Sequence, residues 1–349
     1  MSLSPPLLSI VVPCFNEEEC LDALHARLGA VASGVAGDDY EIVLVNDGSR
    51  DGSWAKMKAL AADDPHVMAV DLSRNHGHQL ALTAGLDLCR GETVLIIDAD
   101  LQDPPELLPE MVATMHREGA EVVYGVRASR EGETAFKRAT AHAFYRLLSR
   151  ATETEIPIDS GDFRLMSRRA LDVLLAMPEQ ARFVRGMVAW IGFRQVPFVY
   201  RRDPRLAGRT KYPLAKMIRF ALDALTGFSS APLKLAAHAG LWLSAGSVLI
   251  VIYILSGWMS GRALPGWTSL MLIVVALGAV QMFVLGLMGE YIGRLYNQAK
   301  GRPLYIVQEL AGPKPAAGQL GVDASAELPV AMQREGEQRG YAGDRHIGP

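Results

Sequence analysis

Up to Tyr200, short apolar runs alternate with segments whose apolar positions recur at helical spacing. The runs at 8–12, 41–45, 67–72, 93–97, 121–125 and 195–199 are rich in Val, Ile and Leu and are bounded by turn residues, which predicts strands. Between them, 17–32 places Leu21, Leu24 and Leu28 on one helical face, and 53–62 does the same with Trp54, Met57 and Leu60. A third helical segment, 79–89, carries Ala81, Ala84 and Gly85, small enough for close packing on a sheet. This alternation predicts an α/β sheet domain. Ligands of such sheets bind at the carboxyl ends of the strands. Four acidic or Gly/Asn-rich turns fall there: 13–18, 46–51, 73–78 and 98–103.

The pattern changes after Lys211. In 213–228, Met217, Ile218, Phe220, Ala221 and Leu225 lie among Lys216, Arg219 and Asp223, as in an amphipathic helix lying on a membrane surface. The segments 235–258 and 267–289 are uncharged and apolar, and each exceeds the ~20 residues that cross a bilayer. Trp242, Trp258 and Trp267 are expected near the interfaces, the last two at the ends of the spans. Lys211, Lys216, Arg219 and Lys234 precede the first span, Arg294, Lys300 and Arg302 follow the second, and the connecting loop holds only Arg262. By the positive-inside rule both flanks, and so both termini, face the cytoplasm. The expected organisation is a catalytic domain over 1–212, an interfacial helix over 213–232, and two transmembrane helices within 233–292. A cytoplasmic segment over 293–310 and a disordered tail over 311–349, poor in large apolar residues, would complete it.

Composition narrows the class. Half of the 349 residues are hydrophobic, which is high for a soluble enzyme. A net charge of −3 leaves no nucleic-acid footprint. Cys14, Cys20 and Cys89 are odd in number and lack zinc spacing, so they read as reduced thiols. The apolar run at 9–12 is too short for a signal peptide and has no basic lead-in, so the N-terminus is expected to stay in the cytoplasm.

The candidate chemistry centres on the run that ends in Asp98-Ala99-Asp100-Leu101-Gln102-Asp103. Clustered carboxylates repel, and a pair at a strand end can hold a hard divalent cation that bridges two phosphates. Asp103-Pro104-Pro105-Glu106 reads instead as a helix start, with Asp103 as N-cap. Pro13-Cys14-Phe15-Asn16-Glu17-Glu18 and Asn46-Asp47-Gly48-Ser49 both lie just beyond strands, and Ser53 or Asp51 can cap the next helix. Asp47 is a candidate for a base or ribose contact. His76-Gly77-His78 lacks a third nitrogen ligand nearby, so it reads as structural or as part of the nucleotide side rather than as a metal site.

Taken in order, these motifs resemble family 2 glycosyltransferases of the polyisoprenyl-phosphate type, similar to dolichol-phosphate mannose synthases and bacterial undecaprenyl-phosphate glucosyltransferases. Ser73-Arg74-Asn75-His76-Gly77, Gly161-Asp162-Phe163-Arg164-Leu165 and Gly208-Arg209-Thr210-Lys211-Tyr212-Pro213 complete the likeness, which covers 8–310. One common form of the family has Phe where His76 stands. The resemblance implies a GT-A (Rossmann-like) fold followed by the interface helix and a two-helix transmembrane hairpin. It implies a homo-oligomer in the bacterial inner membrane, a nucleotide-sugar donor and a polyprenyl-phosphate acceptor. It assigns Asp98 and Asp100 to a Mg²⁺ or Mn²⁺ ion and Asp162 and Asp100 to catalysis. Pro13, Asn16, Glu17, Asp47, Asn75 and Gln102 are assigned to donor binding.

An acceptor phosphate needs cations. Arg127, Arg130, Lys137 and Arg138 after the fifth apolar run, and Arg202, Arg205, Arg209 and Lys211 before the amphipathic segment, are the candidates. The expected reaction is an inverting transfer; Asn75-His76-Gly77-His78-Gln79 and the two spans resemble bacterial glucosyl carriers, which favours UDP-glucose and leaves GDP-mannose, UDP-N-acetylglucosamine and aminoarabinose donors open. A phosphate monoester is already nucleophilic at neutral pH, so Asp162 can orient the acceptor or the sugar rather than act as a strong base. A processive polysaccharide synthase would carry a Gln-x-x-Arg-Trp motif and more spans, and a non-catalytic scaffold would have no use for the acidic cluster.

Overall fold

The computed structural model describes residues 5–128, 160–202, 231–260 and 266–313. Within them, eight strands form one sheet in the order β7-β5-β6-β4-β1-β2-β3-β8. The central strands are β1 (Leu8–Cys14), β2 (Tyr40–Asn46), β3 (Val67–Leu72) and β4 (Thr93–Ile96), all parallel. β5 (Val122–Arg127) and β7 (Gln195–Tyr200) are parallel to each other, and β6 (Ser160–Ser167) runs antiparallel between β5 and β4. β8 (Val307–Ala311) closes the other edge antiparallel to β3.

Side chains alternate across β1 and so define two core layers. Ile10 and Val12 pack with Leu21, Leu24 and Leu28 of α1 (Leu21–Ala36). Val11 packs on the opposite face with Ala81, Leu82 and Ala84 of α3 (His78–Leu88). Gly85 makes that approach possible, since a Cβ there would lie 2.4 Å from Val11 Cγ1. α2 (Ser53–Asp63) and α4 (Leu108–Glu118) add Met57 and Met111 to the first layer, and α5 (Arg168–Ala176) and α6 (Val184–Ile191) add Leu171 and Met187 to the second.

Three sequence expectations change here. The first helix starts at Leu21, not at position 17, because 16–18 forms a turn stitched to the loop after β2. Asn16 N–H donates to Ser49 Oγ at 2.9 Å, Glu17 N–H to Ser53 Oγ at 3.0 Å, and Gly52 N–H to Glu18 Oε2 at 2.8 Å. Asp103 is not an N-cap. A 3₁₀ turn at Pro105–Leu107 leads into α4 with no side-chain cap, and the fully buried Asp103 carboxylate turns toward β7. It accepts hydrogen bonds from Tyr200 Oη at 2.5 Å and Arg202 Nε at 3.0 Å, as a buried charge must find charged or polar partners. Finally, Ala311 belongs to β8 rather than to the expected tail.

α7 (Ala231–Met259) and α8 (Trp267–Ala299) are long enough and apolar enough to cross a membrane, over Ala236–Gly257 and Ile273–Ala299 with mean hydropathy 2.0 and 1.9. Neither apolar stretch is buried within the protein, and Trp242 is 75 % exposed. α8 continues past position 289 with an Arg294–Glu290 pair at 3.0 Å, one turn apart. The interfacial helix at 213–228, the Gly208–Pro213 motif, Arg130, Lys137, Arg138, Arg205, Arg209, Lys211, Arg262 and the tail from 314 lie outside the described residues.

Candidate active site

The carboxyl ends of β1 to β4 form one wall of the site. Asp47 follows β2 and is 3 % exposed. Its carboxylate accepts the backbone N–H of His76 at 2.6 Å and of Gly77 at 3.0 Å, while Asn75 Nδ2 donates to the Asp47 carbonyl at 3.0 Å. Burial raises the Asp47 pKa against these hydrogen bonds. Gly48 completes the turn at φ +63°, where a Cβ would lie 2.5 Å from the Asn75 backbone nitrogen. The loop after β3 therefore rests directly on the loop after β2.

The acidic loop after β4 carries backbone strain. Leu101 has φ +57°, a left-handed conformation that costs a non-glycine residue about 1 kcal/mol or more. It is held there by its own burial and by Asp100 Oδ1, which accepts Gln102 N–H at 3.1 Å. The same turn brings Asp100 Oδ2 within 3.7 Å of Arg202 Nη2. Asp98 Oδ1 is buried and makes no hydrogen bond among the described residues; His78 Nε2 lies 3.6 Å from it. Burial, reinforced by the charges of Asp162, Asp103 and Asp100, pushes the Asp98 carboxyl up to about 6 despite the opposing His78.

Asp162, on β6, is 3 % exposed and heavily bonded. Arg185 reaches it through Nε at 2.8 Å and Nη2 at 3.1 Å, His78 through Nε2 at 3.1 Å, and Gln79 through Nε2 at 3.2 Å. Burial alone would raise its pKa, but the Arg185 charge and the bonds from His78 and Arg185 hold it well below the usual carboxylate range. Burial would likewise lower His78, yet its bond to Asp162 and the charges of Asp98 and Asp162 raise it to about 9. One ligand atom from each of His78, Asp98 and Asp162 falls within 4.8 Å of the others. Asp162 is thus shared between His78 and Arg185, with Asp98 beside His78.

The structure thus gathers Asp98, Asp100, Asp162 and Arg202 around the carboxyl end of β4, with the Asp47 turn after β2. Pro13 and Asn16 lie at the carboxyl end of β1, Pro13 paired in register with Val45 and Asn16 accepting Arg50 N–H at 2.8 Å. Arg127 ends β5 opposite Tyr200, and its Nη2 lies 3.4 Å from the point where a Cβ on Gly161 would stand. Arg202 is turned to Asp103 and Asp100. His78, Gln79 and Arg185 were not singled out in the sequence as partners of the site carboxylate. The Gly77-His78-Gln79 helix start directly after a strand-end loop was the one signal for the first two; nothing local marks Arg185.

Comparison with known proteins gives the family. The Glycosyl transferase family 2 model matches residues 9–175. The Bacillus subtilis glycosyltransferase YkcC is 48 % identical over 307 residues, covering 87 % of this chain and 94 % of its own length. The prophage bactoprenol glucosyl transferase homolog of Escherichia coli K12 is 37 % identical over 309 residues, 87 % of this chain and 99 % of that one. The bactoprenol glucosyl transferase of Shigella phage SfII is 36 % identical over 303 residues, 86 % and 97 % of the two chains. Among solved structures, mannosyl-3-phosphoglycerate synthase from Rubrobacter xylanophilus is similar over 67 % of this chain and 75 % of that one, at 19 % identity and a TM-score of 0.44. The chain, with its GT-A-like α/β sheet, is a glycosyltransferase and belongs to glycosyl transferase family 2.

Proposed function

We propose that this enzyme transfers glucose from UDP-glucose to polyprenyl phosphate at the cytoplasmic face of the bacterial inner membrane, with inversion at the anomeric carbon. The observation that carries the reading is that the likeness to bactoprenol glucosyl transferases runs through both the sheet and the two apolar helices, 86–87 % of this chain. A phosphate oxygen of the acceptor attacks the anomeric carbon as the bond to the nucleoside diphosphate breaks, and the leaving group takes the electron pair. With a second pKa near 6, the acceptor phosphate needs no strong base. This suits Asp162, which is held ionised between Arg185 and His78 and is better placed to orient groups than to take a proton.

Asp98 and Asp100 fit a hard divalent cation. Both offer carboxylate oxygens, and one Asp98 oxygen is buried without a hydrogen bond. Asp162 already carries Arg185 at 2.8 Å, which favours the Asp98–Asp100 side for the ion. Mg²⁺ or Mn²⁺ bound there would stabilise the charge that develops on the diphosphate. Asp47 acts on the nucleoside side by fixing the His76–Gly77 turn, with Asn16, Glu17 and Asn75 in the adjoining loops. Arg127 stands on the acceptor side, together with the basic residues expected at 130–138 and 205–211. Arg202 links the acidic loop to the segment leading there.

The test is to supply purified protein with undecaprenyl phosphate, Mg²⁺ and a panel of radiolabelled donors: UDP-glucose, GDP-mannose, UDP-N-acetylglucosamine and an aminoarabinose donor. Label should enter the organic phase with UDP-glucose. Lipid-linked label from a different donor would correct the sugar, and none from any donor would refute the reaction.

A further inference from the structure

The end of α8 is stitched to the sheet domain through Gln298. In its last turn, Gln298 donates from Nε2 to the Pro178 carbonyl at 2.6 Å and accepts Gln180 N–H on Oε1 at 2.9 Å. One carboxamide thus binds a donor and an acceptor of one loop, as a neighbouring strand would. That loop, 177–183, joins α5 to α6. At its far end Val184 N–H donates to Gln79 Oε1 at 2.9 Å, and the Gln79 amide donates on to Asp162 at 3.2 Å. The next residue, Arg185, makes the paired contact with the same carboxylate. The chain beyond α8 returns to the same domain. Tyr305 Oη donates to Asp87 at 2.8 Å on α3, the helix that begins with His78, and Ser73 N–H donates to the Ile306 carbonyl at 2.9 Å.

A lipid phosphate sits at a fixed depth in the bilayer, so a site on a folded domain must be held at that depth to meet it. We propose that Gln298 is a positioning residue for the acceptor side: by clamping 177–183 it keeps Arg185 and Gln79 on Asp162, and it ties that arrangement to the seating of α8 in the membrane. The proposal rests on the lipid-phosphate reading above. It acts through Arg185, so it makes a claim that a mere tether does not.

The experiment uses the full chain in vesicles containing polyprenyl phosphate. In Gln298→Ala the KM for the lipid acceptor should rise about fivefold, the scale of one or two exchangeable hydrogen bonds, with the KM for the nucleotide sugar unchanged. Amide hydrogen exchange over 178–185 should quicken by a similar factor. Gln298→Glu keeps an acceptor for Gln180 N–H but sets an oxygen against the Pro178 carbonyl, and should raise the acceptor KM at least as far as Ala; it also serves if the alanine variant fails to insert. In an Arg185→Lys background the Gln298 effect on the acceptor KM should largely vanish, because coupled residues are not additive. An unchanged acceptor KM, an equal rise in both KM values, or a full additive effect in Arg185→Lys would each overturn the proposal. A wild-type chain that transfers nothing would refute the reaction instead, and unchanged exchange over 178–185 would then refute the clamp on its own.

Discussion

Gly48 shows how little room the nucleotide side has. Its φ of +63° disfavours any side chain, and a Cβ would stand 2.5 Å from Asn75 N and 2.6 Å from Arg74 C, both backbone atoms that cannot step aside. Gly48→Ala should therefore cost about 2 kcal/mol or more and weaken nucleotide binding more than it lowers thermal stability, which calorimetric titration with UDP would register. At Asp98 the issue is charge. Its carboxyl is pushed up to about 6 because the site is buried and crowded with acids. A bound divalent cation would reverse that shift, so metal affinity should rise with pH as the proton is lost. Asp98→Asn should abolish stimulation by Mn²⁺ and flatten this pH dependence, read by direct Mn²⁺ titration. Survival of the full metal response would remove Asp98 from the ion. These residues were legible in the sequence because an apolar run that ends abruptly in acid has few structural excuses. His78 and Arg185 were not, because their partner Asp162 lies 84 and 23 positions away and only the fold closes those distances.

Among the elements, β7 matters most for holding the acidic loop. Tyr200 at its end is 5 % exposed and gives its hydroxyl to the fully buried Asp103, whose Oδ2 has no hydrogen-bond partner among the described residues. Tyr200→Phe removes that donor with hardly any change of shape, and should cost about 2 kcal/mol, a fall of roughly 5 °C in Tm for a domain of this size. Asp64 ties α1 to the turn before β3 in a different way. It is held below its ordinary pKa because bonds from His66 and His25 outweigh burial, including His25 Nε2 at 2.7 Å. A depressed carboxyl stabilises the fold above its unfolded pKa, and that contribution is lost as the pH falls through the depressed value. The Tm gap between wild type and Asp64→Asn should be open at neutral pH and close only below the usual carboxylate range. The parallel strands announced themselves as apolar runs. β6 did not, because Asp162 and Arg164, both buried, interrupt its alternation with charges that only the site explains. β8 is short, and its Val-Gln-Glu-Leu-Ala has no pattern apart from the edge it covers.

For the whole molecule, β8 makes a topological argument that does not depend on counting basic residues. Because Val307–Ala311 pairs with β3, and Gln298 is bonded to the loop after α5, the end of α8 must lie on the same side of a membrane as the sheet. If both candidate spans cross, α7's start returns to that side, and the stretch between the two spans is expected on the other. The distribution of Lys and Arg points the same way, with one arginine, Arg262, in that stretch. A cysteine at Ala263 should therefore react with a membrane-impermeant maleimide added to intact spheroplasts, whereas one at Arg302 should react only after the membrane is opened. The native thiols give a quiet background, since Cys14, Cys20 and Cys89 are all buried. Labelling of Arg302→Cys alone from outside would mean that the pair crosses in the inverted orientation, and labelling of both sites would mean that the apolar helices do not cross as a pair. The sheet would then have to meet its lipid acceptor by lying against the bilayer rather than by being hung from it.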